Sequence, residues 1–369
     1  MRRAYKYKIR MNRAFLKSCA DTLDCCRDLY NAALSQRINY FKQGKRIGFL
    51  EQAKQLTEAR ELPHIGSIQR SFQQNALRRL DLAFQAFFRR AQAKSGKAGF
   101  PRFRGYERYG SFNTMNAKQF RLSGDKLTVQ KLGSCRIRLS RPLGGRAKTL
   151  TIRRECDGWY VIIGCDNIEP SLLPTIGRDT GIDVGLESFA TLSDGSTVTN
   201  PRYFRKGEAM LARAQQRLSS KKRGSQSRNR SRLLVAKAHA KIRRQRDWFH
   251  WQQARKLVAD FDRIVIERLD IKALAQGRLA KSIHDAGWAS FIAKLASKAE
   301  EAGRELVKVS ARFTSQDCSG CGRRARKELS ERWHSCRCGL TISRDHNAAL
   351  NILARAGPAP DGLILARTI

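Results

Sequence analysis

The stretch TGIDVGLESFATLSDGSTVTN, residues 180–200, decides how the second half of the chain folds. It reads as three short strands: one centred on Asp183, a second over 188–192, and a third entered through the turn Ser193-Asp194-Gly195. Asp183 is flanked by Ile182 and Val184, and a carboxylate is seldom set in such an apolar run unless it is paired or bound to metal. Working outward, two long basic helices cover 207–260, broken by SSKKRGSQSRNR. A buried-looking strand follows, DRIVIERLD at 262–270, with Glu267 at its end. A linker with Gly277 and Lys281 leads to a helix over 286–303 and then the strand ELVKVSA at 305–311. The last helix opens at Asp345, with Ala348, Ala349, Leu350, Ile352 and Leu353 behind it at helical spacing.

This order, β(Asp)-β-β-α-α-β(Glu)-α-β-α(Asp), fits a ribonuclease-H-like α/β fold. Its first and fourth strands lie side by side, so Asp183 and Glu267 meet and the last helix presents Asp345 to both. Three carboxylates at one point cannot all stay charged without cations. Two Mg²⁺ ions resolve this, activating a water and stabilising the leaving oxygen of a phosphodiester. Each acid alone has an ordinary explanation: Asp183 as a turn residue, Glu267 as a salt-bridge partner of Arg268, Asp345 as a helix N-cap. Their joint placement is what points to chemistry.

Between the last strand and the last helix lie Cys318-x₂-Cys321 and, after fourteen intervening residues, Cys336-x-Cys338. Two such pairs fit a zinc ribbon holding one structural Zn²⁺. The second pair is one residue tighter than the usual knuckle, which leaves His334 open as a substitute ligand.

The first half is organised differently. AYKYKIR at 4–10 alternates like a strand, and apolar positions at helical spacing then predict helices over 14–44, about 50–60 and about 66–93. The adjacent Cys25 and Cys26 read as helix packing. On the polar side of the third helix, Gln73, Gln74 and Arg78 are side chains able to read base edges, with a solvated face as the plain alternative. After the basic Gly/Pro linker at 94–105, a strand-rich region runs over about 108–167. It contains a hairpin for which Asp157-Gly158 predicts a type I′ turn. One strand, then helices, then a return to strands suggests a small barrel split by a helical insertion. Cys135, Cys156 and Cys165 have no ligand spacing and read as small apolar residues.

With 73 Lys and Arg against 32 Asp and Glu, the net charge is +41. Such a chain repels itself unless a polyanion neutralises it, and nucleic acid is the natural partner. Between Arg202 and Lys256 there are 18 basic residues and two acids, which favours a phosphate-tracking surface; Lys221, Lys222, Arg223, Arg243 and Arg244 are candidates on it. Membrane binding is the rival reading, but it wants an amphipathic or lipidated segment, and no apolar run approaches the ~20 residues of a spanning helix, so no membrane partner is expected. The start, MRRAYKYKIR, has no apolar signal region, so a cytoplasmic site is expected, nucleoid-associated through DNA.

The motifs G-I-D-V-G at 181–185, I-V-I-E-R-L-D at 264–270, T-S-Q-D-C-S-G-C-G at 314–322 and R-D-H-N-A-A-L-N-I at 344–352 resemble the TnpB (OrfB) proteins of insertion elements, relatives of type V CRISPR effectors and of Fanzor proteins. CCRDLYNAAL at 25–34 and QKLGSCRIRLSRPL at 130–143 are similar to the family's general pattern, so the resemblance covers nearly the whole chain. It implies a RuvC-like nuclease domain over 173–312 and 341–356, with Asp183, Glu267 and Asp345 as catalytic acids, and a zinc ribbon at 313–340. It implies a β-barrel wedge domain over 1–12 and 106–172, a helical recognition domain over 13–105, and a flexible tail at 357–369. It also implies a guide RNA from the transposon end, bound by one monomer per RNA. Double-stranded target DNA would be cut next to a short adjacent motif, read through Gln73, Gln74 or Arg78. Ser343 departs from the family pattern, standing where many relatives have Asp. Rival expectations are a nuclease-dead RNA-guided repressor, a strand-transferring transposase and a structure-selective nuclease needing no RNA.

Overall fold

A computed structural model of the chain describes residues 1–10, 12–93, 99–328 and 331–357. Part of the expected linker, 94–98, and the expected tail beyond 357 lie outside the described residues. The chain divides into two compact units, Met1–Glu169 and Pro170–Ile369.

In the first unit, β1 (Arg3–Ile9) leads into α1 (Arg13–Lys42), α2 (Phe49–Ala59), the single turn α3 (Pro63–Gly66) and α4 (Arg70–Gln92). Asn12 starts α1 by accepting the Phe15 N–H on Oδ1 (3.1 Å), while its amide reaches the Ser134 carbonyl oxygen (3.1 Å). The buried positions of α1 (Phe15, Cys19, Leu23, Cys26, Tyr30, Leu34) recur every three or four residues and form one stripe. The strands that follow are β2 (Ser111–Thr114), β3 (Phe120–Ser123), β4 (Lys126–Val129), β5 (Gly133–Arg138), β6 (Arg146–Glu155) and β7 (Gly158–Asp166). They pair in the order β2-β6-β7-β1-β5-β4-β3, so the first strand of the chain fills the middle of the sheet. Helices and strands, expected as two domains, share one core: Phe15, Leu23 and Leu77 pack in the same cluster as Tyr7, Ile137 and Val161. Cys26 lies in this core, and burial pushes its thiol up; burial pushes Cys135 up to about 12.

One local expectation is corrected. The β6–β7 hairpin turns through Cys156 and Asp157, with Glu155 paired to Gly158. Neither turn residue has a positive φ, which a type I′ turn requires at both; the positive φ (137°) falls on Gly158, the first residue of β7.

The second unit holds β8 (Asp179–Asp183), β9 (Ser188–Leu192), β10 (Thr197–Thr199), α5 (Tyr203–Ser219), α6 (Gln226–Asp260), β11 (Arg263–Arg268), α7 (Ile271–Leu274), α8 (Ala280–Ala286), α9 (Trp288–Ala302) and β12 (Glu305–Ser310). After these come β13 (Trp333–Ser335), β14 (Thr341–Ser343) and α10 (Arg344–Ala354). The helix expected over about 286–303 is α9, and Gly287, at a left-handed φ of 67°, separates it from α8, a short helix within the expected linker.

The main sheet runs β10-β9-β8-β11-β12, with β8, β11 and β12 mutually parallel and β9 antiparallel to β8. Alternation along the strands assigns the two faces. Ile182, Ile264 and Ile266 pack against Leu257 of α6 and Phe291 and Leu295 of α9. Val265 packs on the other side against Ile352 of α10. Gly181 and Asp183 alternate with Ile182, and Glu267 is two residues from Val265, so both acids fall on the α10 side.

Candidate active site

Register brings the first two acids together. Ile182 of β8 pairs with Ile266 of β11, so Asp183 and Glu267 stand one residue further along neighbouring parallel strands. The third comes from α10, which Gly181 admits: a Cβ there would lie 2.2 Å from the Ala349 carbonyl oxygen. Beyond Asp183, a Cβ on Gly185 would lie 3.8 Å from Oδ2 of Asp345. Ser343 starts α10 by accepting the His346 N–H on its hydroxyl (3.2 Å), so the serine serves as the cap. His346 in turn donates from Nε2 to the Ser193 carbonyl oxygen (3.1 Å), tying α10 to the β9–β10 turn.

The electrostatics follow from this convergence. Burial, then the charges of Glu267 and Asp345, push Asp183 up to about 8, with Arg344 acting in the opposite sense. Burial also raises Glu267, against the pull of the Thr314 hydroxyl, which hydrogen-bonds it, and of the Arg355 charge. Burial and like charges both disfavour the ionised form of a carboxyl, and divalent cations are what would offset them here.

The four cysteines form a tighter group, with all four sulfurs within 4.8 Å of one another. Cys318 and Cys338 Sγ are 3.7 Å apart, and Cys321 and Cys336 Sγ are 3.5 Å apart. Zn–S bonds of ~2.3 Å set tetrahedral edges of ~3.8 Å, so this donor set suits zinc. The tight second pair is accommodated by a hairpin: β13 and β14 flank it, and Gly339 turns back with φ 92°, donating its N–H to the Cys336 carbonyl oxygen (3.0 Å). The Cys338 backbone N–H lowers the Cys336 thiol to about 7. His334 is not a member of this group: its Nδ1 meets the Lys327 ammonium (2.5 Å) and its ring is buried.

Several residues that are neither acids of the triad nor cysteines join the two centres. Asn347 and Asn351 on α10 and Arg355 at its C-terminal cap are spaced four apart. Asn347 donates to the Asp317 carbonyl oxygen (2.8 Å) and accepts the Ser319 N–H (2.9 Å). Asn351 donates to the carbonyl oxygens of Thr314 (2.8 Å) and Asp317 (2.6 Å). Arg355 pairs with the Asp317 carboxylate (3.0 Å). The spacing of these three was visible in sequence; their target was not.

Beside the loop after Asp183 lies a cavity of ≈ 720 Å³, lined among others by Glu187, Arg202, Arg205 and Arg332. Arg202 is a non-glycine at φ 50°, held there by the Asn200 side chain, which accepts its N–H (3.2 Å). Arg332 spans the mouth to Glu187 (3.2 Å), and its carbonyl oxygen accepts the Arg344 N–H (2.8 Å) beside Asp345.

The candidate nucleic-acid contacts scatter. Lys221, Lys222 and Arg223 are exposed between α5 and α6, and Arg243 and Arg244 are exposed on α6. Arg78 is exposed and Gln74 half-buried; both line a cavity of ≈ 600 Å³ with Phe49, Leu50 and Met115. Gln73 is corrected: it is fully buried, donates to the Ile65 carbonyl oxygen (2.8 Å) and accepts from Arg60, so it cannot meet a base.

Residues 167–278 match an OrfB family model described as "Probable transposase", and residues 288–352 match one described as "Cas12f1-like, TNB domain". Residues 1–46 match a model described as "Helix-turn-helix domain", although here that segment is β1 followed by the single long helix α1. A protein of Streptomyces pristinaespiralis named "Putative RNA-guided DNA endonuclease" is 34% identical over 366 residues, covering 96% of this chain and 89% of that protein. "Putative RNA-guided DNA endonuclease InsQ" of Escherichia coli K12 is 28% identical, covering 89% and 86%. Among solved structures, the Cas12f1 chain of a complex with sgRNA and target DNA aligns at a TM-score of 0.57 and 14% identity, over 92% of this chain and 82% of that one, which shows a shared fold.

Proposed function

Since the chain belongs to the TnpB (OrfB) family, we propose that it is an RNA-guided DNA endonuclease of a transposable element. Its guide would be an RNA from the element's end, and its substrate double-stranded DNA matching that guide beside a short adjacent motif. The observation that carries this reading is the convergence of Asp183, Glu267 and Asp345 on the α10 side of the sheet, with Asp183 pushed up to about 8.

These three residues would hold Mg²⁺, and the cysteines Zn²⁺ in a closed structural site. When bound, the magnesium ions supply an activated water and stabilise the departing oxygen. The chain's own residues do the rest. Asp183 must give up its proton to accept cations. Ser343 and His346 hold the start of α10, so that Asp345 meets the strand pair. Arg202, Arg205 and Arg332 offer guanidinium groups to the phosphates of a single strand beside the acids. The basic surfaces of α5 and α6, with exposed Trp248, fit a heteroduplex recognised by shape and phosphate, while base pairing supplies sequence. Among the described residues no helix is long and apolar enough to cross a membrane.

The experiment is to express the protein with its native element end, sequence the copurified RNA, and assay plasmids bearing the matching target. A discrete RNA and target-dependent cleavage that Asp183→Ala abolishes, with DNA binding retained, are expected. Cleavage equal without RNA, or joining of element ends in place of cutting, would overturn the proposal in favour of a plain nuclease or a transposase.

A further inference from the structure

Glu267 has a neighbour, Thr314, that opens the T-S-Q-D-C-S-G-C-G stretch but is neither one of its cysteines nor one of the three acids. β12 runs parallel to β11 with Val309 beside Glu267, and the chain leaves β12 at Ser310. It then doubles back, and the buried Thr314 hydroxyl donates to the Glu267 carboxylate. The reversal occurs at Phe313, a non-glycine at φ 66°, a conformation that persists only when its surroundings enforce it.

Those surroundings belong to the first cysteine knuckle. The Phe313 ring lies under the Arg324 guanidinium (3.7 Å to the ring centre) and beside Arg312 (4.8 Å). Arg324 pairs with Asp317 (2.7 Å), and the neighbouring Arg323 carbonyl oxygen accepts the Cys318 N–H (2.9 Å). The Phe313 carbonyl oxygen accepts the Asp317 N–H (2.9 Å), and Asn351 of α10 holds the Thr314 carbonyl oxygen. A continuous path therefore runs from the Cys318–Cys321 knuckle through Arg324 and Phe313 to the Thr314 hydroxyl and Glu267.

We propose that Thr314 is the positioning residue for Glu267, and that the zinc knuckle sets its hydroxyl through the Arg324–Phe313 stack. The proposal rests on the reading of Asp183, Glu267 and Asp345 as the metal-holding acids. Thr314 acts through Glu267: its hydroxyl donates to Oε1 of the carboxylate, which leaves Oε2 free of this bond. Losing such an outer partner lowers metal affinity by ~10–100-fold.

The test uses full-length, zinc-loaded protein and Mn²⁺ as the probe, with free Mn²⁺ counted by electron paramagnetic resonance. Wild type is expected to take up Mn²⁺ in a manner that Asp183→Ala abolishes. Thr314→Val, similar in shape but without the hydroxyl, should bind about tenfold more weakly, and Thr314→Ser should stay within about twofold of wild type. Arg324→Ala changes only an exposed side chain, so it reports even if Thr314→Val fails to fold. It should weaken Mn²⁺ binding with zinc content unchanged. Wild-type affinity in either Thr314→Val or Arg324→Ala overturns the proposal while leaving the acid triad standing. Wild-type protein lacking Asp183-dependent uptake instead overturns the triad reading beneath it.

Discussion

Gly181 of β8 and Ala349 of α10 touch backbone to backbone: a Cβ on the glycine would sit 2.2 Å from the Ala349 carbonyl oxygen and 2.7 Å from the Leu353 nitrogen. Neither obstacle is a flexible side chain, so α10 itself must move to admit one carbon. Because α10 carries Asp345, this contact couples packing to the acid site. Gly181→Ala is expected to lower stability by about 1–3 kcal/mol, the usual range for overpacking, and to abolish cleavage. Thermal melts and plasmid cleavage check both, and an unchanged melting temperature would show that α10 is not held by this contact.

Asp183 predicts an unusual pH dependence. Its folded-state value of about 8 lies above the ordinary 3.8, so between these values the folded chain binds more protons than the unfolded one. Stability of the magnesium-free protein should therefore fall as pH rises from about 4 to 8, at up to ~1.4 kcal/mol per pH unit from this group. Asp183→Asn mimics the protonated form, and should flatten that decline and melt higher than wild type at pH 8. Adding Mg²⁺ at pH 7 to wild type should release protons, measurable by calorimetry in buffers of different ionisation enthalpy. No difference between wild type and Asp183→Asn at pH 8 would contradict the assignment.

The sulfur geometry predicts one zinc per chain. Cys321→Ser or Cys336→Ser should lose it, exposing the remaining thiols to a colorimetric thiol reagent, whereas His334→Ala should keep it. Elemental analysis of purified protein decides. Zinc retained after Cys336→Ser but lost after His334→Ala would reverse the assignment of ligands.

Gln73 and Arg78 should behave oppositely although only five positions apart on α4. Gln73→Ala removes one acceptor of Arg60 and the side-chain donor to the Ile65 carbonyl oxygen and should cost about 1–3 kcal/mol, with no change in DNA preference. Arg78→Ala should leave stability within about 0.5 kcal/mol and weaken nucleic-acid binding. Denaturation curves with binding assays on both variants separate the roles. Equal stability loss in the two would make Arg78 a packing residue as well.

The sequence alone determined the order of the five sheet strands and the long helices of the second unit, the four-cysteine spacing and the charge of α5 and α6, and it singled out the three acids. Apolar flanks, knuckle spacing and charge density are properties of the chain read locally, so they survive without coordinates. It misplaced what depends on long-range packing. Gln73 and Gln74 are adjacent on the polar side of one helix, yet α3 and Arg60 bury one and leave the other beside a cavity. His334 was open as a ligand until the β13–β14 hairpin completed the sulfur set without it. Only the tertiary structure decided which groups stand behind the acids. Thr314 reaches Glu267 because Phe313 adopts a left-handed turn that its own sequence disfavours and that Arg324, eleven residues later, stacks upon. A conformation enforced from a distance leaves no periodic or compositional trace, so it becomes legible only when the chain is folded.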